Sequence, residues 1–122
     1  MRTSPARILA ALAAVTLGAT LLAGCEAALP SRQPDAVGTV GEVSTSDGVT
    51  VLSFVPDAGY EYFLGTLFWV DDSVEVIGPE GVSVDASEIV LGAEVEVWTE
   101  ACAESFPVQC DVVAVRWTGP TL

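Results

Sequence analysis

The sequence predicts an all-β domain, a small barrel or sandwich, and three observations carry that expectation. Short β-branched runs recur between clusters of turn residues from residue 37 to residue 119. One of them, Glu94-Val95-Glu96-Val97-Trp98, alternates strictly, which sets Val95 and Val97 toward a core and Glu94 and Glu96 toward water. Two others flank Asp47-Gly48, a dipeptide suited to the tight turn of a β-hairpin.

Taken in order, Val37 to Ser44 carries Val37, Val40 and Val43 with Gly38 and Gly41 between them, a strand expected to bend or bulge. After the turn at Asp47-Gly48, Val49 to Val55 returns with Val49, Val51, Ser53 and Val55 on one face. Pro56-Asp57-Ala58-Gly59 breaks it. Tyr60 to Val70 reads as one long aromatic and β-branched run with a bend at Gly65. Asp71-Asp72-Ser73 turns the chain, and Val74 to Ile77 comes back until Gly78-Pro79 stops it. Asp85 and Glu88 have capping-box spacing, so a single helical turn is expected there. After the alternating strand, Asp111 to Trp117 closes the domain, with Val113, Val115 and Trp117 on one face. The domain is expected to span 37–119, followed by a tail at 120–122.

The first 36 residues are of another kind. Arg2 and Arg7 charge the start, and a run of 17 uncharged residues, Ile8 to Gly24, ends at Cys25. A basic start, an apolar middle and a small-residue exit are the parts of a secretory signal peptide. The run is slightly short for a membrane span. Leu22-Ala23-Gly24-Cys25 resembles the lipobox of bacterial lipoproteins. That resemblance implies removal of residues 1–24, diacylglyceryl transfer to the Cys25 thiol and acylation of its new amino group. It implies an extracytoplasmic protein held to a cell membrane by lipid, with inner and outer membrane both open. The competing readings are an ordinary signal peptide with a chance cysteine, or a transmembrane helix. Residues 25–36, with Pro30, Pro34 and no apolar period, read as the lipidated cysteine and a tether reaching at most ~35 Å.

Composition restricts function sharply. Residues 25–122 make one small domain, with 17 carboxylates against Arg32 and Arg116, a formal charge of −15. There is no Lys, no His and no Asn. Ser-His-Asp, Cys-His, Ser-Lys and Schiff-base chemistry are therefore outside its means. So are imidazole zinc sites and Walker-type phosphate loops. Only paired carboxylates or an oxygen-ligand metal site remain, in a domain with little room for a cleft. No enzyme activity, catalytic residue, metal site or cofactor is expected. Two cations cannot hold a phosphate backbone, so no nucleic-acid partner is expected either. Anionic headgroups repel the domain as well, and the acidity reads first as solubility.

Ile89, Gly92, Val95, Val97 and Trp98, followed by Glu104-Ser105-Phe106-Pro107-x-Gln109, resemble a group of small secreted bacterial domains with an OB-like β-barrel. These domains are often carried on lipoproteins and mostly lack an assigned function. Phe106 stands where that pattern has Tyr. The resemblance covers about 30 residues and implies an OB-like barrel of about five to six strands, with at most one or two short helical turns. OB-like barrels elsewhere bind oligonucleotides or oligosaccharides, and the charge removes the first of these.

Within that frame Ser105 has no base to activate it, and the Glu104–Pro107 loop reads as structural, with Phe106 plugging one barrel end. Tyr60, Tyr62, Phe68 and Trp69 crowd one expected strand. Most belong in the core, and any left exposed offer a face for a protein or carbohydrate ligand. With Cys25 taken by lipid, Cys102 and Cys110 remain as an even pair across a chain reversal, and a disulfide is expected between them. A reduced buried pair or half of a metal site are the alternatives. Two functional readings follow: a lipid-anchored binding or interaction module, or an acidic cation-binding or structural envelope protein. The second would use Asp71, Asp72 and Glu75, or Glu80, Asp85 and Glu88, none of which has EF-hand spacing.

Overall fold

A computed structural model describes residues 29–120. Among them are six strands: β1 (Ala36–Ser46), β2 (Val49–Pro56), β3 (Leu67–Val70), β4 (Glu75–Ile77), β5 (Glu94–Ala103) and β6 (Gln109–Gly119). Two 3₁₀ turns, Glu61–Phe63 and Ala86–Glu88, are the sole helical elements among the described residues. The strands form one sheet in the order β3-β2-β1-β5-β6-β4. Every neighbouring pair is antiparallel except β4 with β6. The sheet curls around a core without closing, so the architecture is all-β and barrel-like.

Local chemistry explains the elements. Asp47 and Gly48 both take positive φ (52° and 81°), the twist that a two-residue hairpin between β1 and β2 needs. Gly41 marks a register shift in β1, between Val40 and Glu42. Asp85 accepts from the Ser87 N–H and Glu88 reaches back to the Asp85 N–H, so the expected capping box starts the second 3₁₀ turn.

Inward residues alternate along each strand. Val40, Leu52, Phe54, Phe68, Val70, Val95, Val97 and Val115 are almost wholly buried. Phe54 packs edge-on against Phe63 and Phe68, with ring centroids 6.4 and 5.0 Å apart. Val95 and Val97 are buried, whereas Glu94 is exposed and Glu96 half-buried beside Arg116.

Three expectations about the strands change. Tyr60 to Val70 is not one strand: Gly65 takes φ 80°, so Tyr60 and Tyr62 lie on or beside a 3₁₀ turn and only Leu67–Val70 pairs with β2. The segment after Asp71-Asp72-Ser73 does not fold back on β3. It continues away from β2, and β4 pairs in parallel with Glu75, Val76 and Ile77 opposite Ala114, Val115 and Arg116. In β6 the register shifts after Trp98↔Ala114 to Thr99↔Val112, so Val112 rather than Val113 packs on the core below Val115 and Trp117.

Residues 29–35, read from the sequence as tether, lie against the back of β5. The Trp98 indole N–H donates to the Arg32 carbonyl at 2.8 Å, and Arg32 Nη2 donates to the Thr99 carbonyl at 2.8 Å. Asp35 Oδ2 accepts from the Thr99 N–H and from Arg32 Nη1, each at 2.8 Å. Trp98 points away from the core yet is buried, because this arm covers it. Burial raises the Asp35 carboxyl, but the Thr99 N–H and Arg32 outweigh it and leave the group below the ordinary aspartate value.

Candidate binding groove

The barrel wall is incomplete where β3 faces the upper half of β6. β4 covers β6 only at residues 114–116, and β3 has a partner only in β2. Between them lies a groove of about 740 Å³, lined by Trp69, Asp71, Val74, Cys102, Cys110, Asp111 and Val112 among others. Just before β3, the fully buried Thr66 hydroxyl donates to the Val108 carbonyl at 2.9 Å and ties the β5–β6 loop to the start of β3.

Cys102 and Cys110 are joined by a disulfide, as the sequence predicts. They are directly opposed in the β5–β6 register, with Cα atoms 3.9 Å apart, closer than the ~4.4–6.8 Å usual for disulfides. The bond crosses the hairpin just below its loop and forms one wall of the groove.

The Glu104–Pro107 loop is held from both sides. Glu104 accepts from the Tyr62 hydroxyl at 3.0 Å, and this hydrogen bond raises the Tyr62 pKa. Ser105 Oγ donates to the Pro107 carbonyl at 2.9 Å, so its proton is spent on its own loop. Pro107 packs under Gly65. Phe106 does not plug the barrel: it stands 87% exposed at the loop tip, and the buried residue of the loop is Val108. The inward residue thus falls two positions later than the sequence pattern suggests.

The four aromatics proposed as a ligand face separate. Phe68 is fully buried, because it alternates with Leu67 and Trp69 along β3 and faces the core, so it offers nothing to a ligand. Tyr60 and Tyr62 border a different depression beside Thr99 and Glu100. Trp69 alone of the four lines the groove, 58% exposed. Trp98 and Trp117 donate their indole N–H to backbone carbonyls, but that of Trp69 has no partner among the described residues. Asp71, considered from the sequence only as a cation ligand, and Asp111, not singled out there, line the same groove. The Ser73 hydroxyl and N–H hold the Asp71 carboxyl below the usual aspartate range, so it stays charged.

The acidic turns considered for cations serve their own loops: Asp71 caps Ser73, Asp85 caps Ser87, and Glu75 accepts from Ser83. Among the described residues no three Asp, Glu, Cys or His converge as a metal set. Cys25 lies outside the described residues, and none of these forms a helix long and apolar enough to cross a membrane. No protein-family model, no curated protein and no solved structure matches this chain.

Proposed function

We propose that this chain is a non-catalytic binding module, anchored by lipid at Cys25 and displayed on the extracytoplasmic side of a cell membrane. The observation that carries the binding part is Trp69: an exposed indole with an unspent N–H in a groove of ligand size. Elsewhere in the described residues large aromatics are buried, half-buried or already hydrogen-bonded, apart from Phe106 on its loop. The absence of His and Lys from the sequence removes the common nucleophile-activating groups, which favours binding over catalysis. The anchoring part rests on the Leu22-Ala23-Gly24-Cys25 resemblance.

Mass spectrometry of the mature N-terminus tests the anchor, with acyl chains expected on Cys25. Cys25→Ser should move the chain from the membrane fraction to the soluble one. A Cys25→Ser chain that still fractionated with membranes would refute anchoring. Quenching of Trp69 fluorescence by a ligand, absent in Trp69→Phe, tests the groove.

A further inference from the structure

The groove beside Trp69 is short. Thr66 ties the start of β3 to Val108 in the β5–β6 loop, and β4 pairs with β6 at residues 114–116. Those ties leave no path for an extended chain between β3 and β6. The volume of about 740 Å³ instead suits a compact ligand.

The hydrogen-bonding groups left open there are of both kinds. Trp69 presents its indole N–H, and the exposed Gln109 amide adds donors and an acceptor. Asp71 receives both of its Ser73 bonds on Oδ1, which leaves Oδ2 open. Asp111 is exposed and its carboxylate has no partner among the described residues. Much of the remaining lining is apolar: Val74, Val112 and the Cys102–Cys110 disulfide pack on the core and line the same groove. Arg32 and Arg116 border a different depression, so no cation among the described residues faces this one.

These features select among ligand chemistries. Carboxylates with no cation beside them repel acidic sugars, sulfates and phosphates. An ammonium satisfies carboxylates but has no lone pair for the Trp69 N–H or the Gln109 amide. A wholly apolar ligand displaces water from these groups and returns no partner. A hydroxyl both donates to a carboxylate and accepts from an N–H. A pyranose ring carries several hydroxyls and also an apolar C–H face that can rest on an indole.

We propose that the groove binds an uncharged saccharide of one or two pyranose rings, free or at the end of a longer glycan. One ring stacks on Trp69. Its hydroxyls donate to Asp71 and Asp111 and accept from the indole N–H and the Gln109 amide. This rests on the binding-module reading and names the class of its ligand.

The test is isothermal calorimetry on the full chain in a polyoxyethylene detergent, which carries no sugar. The neutral probes are cellobiose, maltose and N,N′-diacetylchitobiose. Deacetylated chitobiose is the cationic probe, digalacturonate the anionic one and adenosine the flat heterocycle. Saturable binding of at least one neutral disaccharide is expected, unchanged by salt, with none of digalacturonate. Trp69→Ala should weaken it roughly tenfold or more, as for a central aromatic anchor. Trp69→Phe, which keeps a ring and loses the N–H, should weaken it by about two- to tenfold, as should Asp111→Ala. Sugar binding left intact by Trp69→Ala overturns the assignment to this groove. Binding of deacetylated chitobiose alone, abolished by salt, or of adenosine alone overturns the neutral saccharide. Either of those results, if lost in Trp69→Ala, leaves the binding module standing, whereas binding of none of the probes removes both.

Discussion

Thr66 offers the sharpest test of how the loop between β5 and β6 is held to the start of β3. Its hydroxyl is fully buried and donates at 2.9 Å to the carbonyl of Val108, itself 2% exposed. That carbonyl has no other partner among the described residues. Thr66→Val keeps the shape and replaces the hydroxyl with a methyl, leaving a buried acceptor unpaired at a cost of about 1–3 kcal/mol. Thr66→Ser keeps the bond and removes one methyl, at a cost of about 0.8 kcal/mol before any cavity contribution. At roughly 4–8 °C per kcal/mol for a domain of this size, valine should lower the midpoint by about 5–20 °C and serine by about 3–6 °C. Thermal unfolding followed by near-ultraviolet circular dichroism reads both. Hydrogen exchange adds a local signature, with amides of residues 104–110 exchanging faster in the valine variant than in the serine one. If serine proved equal to or worse than valine, methyl packing rather than the hydrogen bond would be fixing the loop, and the reasoning would fail.

Thiol titration of the unfolded, unreduced domain should find neither Cys102 nor Cys110 free, and replacing both with serine should cost about 2–3 kcal/mol in urea unfolding. Gly38→Ala should destabilise by at least the ~1–3 kcal/mol of an overpacked site, since the new methyl collides with the Val55 carbonyl and the Phe54 ring. Asp35→Asn should loosen the N-terminal arm, read as faster tryptic cleavage after Arg32 at neutral pH; an unchanged rate would mean that the arm is held by other contacts. Because the folded Asp35 pKa is depressed, its stabilisation is present above the ordinary value near ~3.9 and is lost as pH falls through the folded value. The difference in melting temperature between wild type and Asp35→Asn should therefore hold from pH 7 to about 5, shrink as pH falls below about 4, and vanish only below the depressed folded value.

The strands that could be read from the sequence are those whose local pattern and tertiary role agree. Glu94 to Val97 alternates because β5 has one wet and one dry face, and Asp47-Gly48 has few other uses than a two-residue hairpin. The disulfide was legible because two cysteines bracketed an obvious reversal. Tyr60 to Val70 misled because aromatic residues suit a strand and the rim of a 3₁₀ turn equally, and only the positive φ of Gly65 separates the two. The parallel partnership of β4 is a long-range choice that three residues, Glu75, Val76 and Ile77, cannot encode alone. Trp98 hides for a related reason: its burial depends on Arg32 and Pro34, which carry no period of their own. As for the groove, alternation in Leu-Phe-Trp-Val could have separated Trp69 from Phe68. Nothing local announces that Asp111 stands across from Asp71.

If Cys25 carries lipid as proposed, the docked arm sets how far the domain stands from the membrane. On the proposed anchoring, only the four steps from Cys25 to Leu29 join lipid to fixed structure, a leash of at most ~14 Å where a free tether to residue 36 would allow nearly three times that. Leu29 lies beside Pro79, Gly81 and Thr118, at the end of β6 away from the hairpin loop. The eleven residues of β6 rise about 36 Å from that end to the loop. The head is thus a short post rather than a float on a string, its foot near the lipid and Phe106 toward its summit. On that anchoring, the height of the groove above the lipid is bounded by the length of this leash and of β6, which concentrates the groove in a thin layer for any partner in the same bilayer.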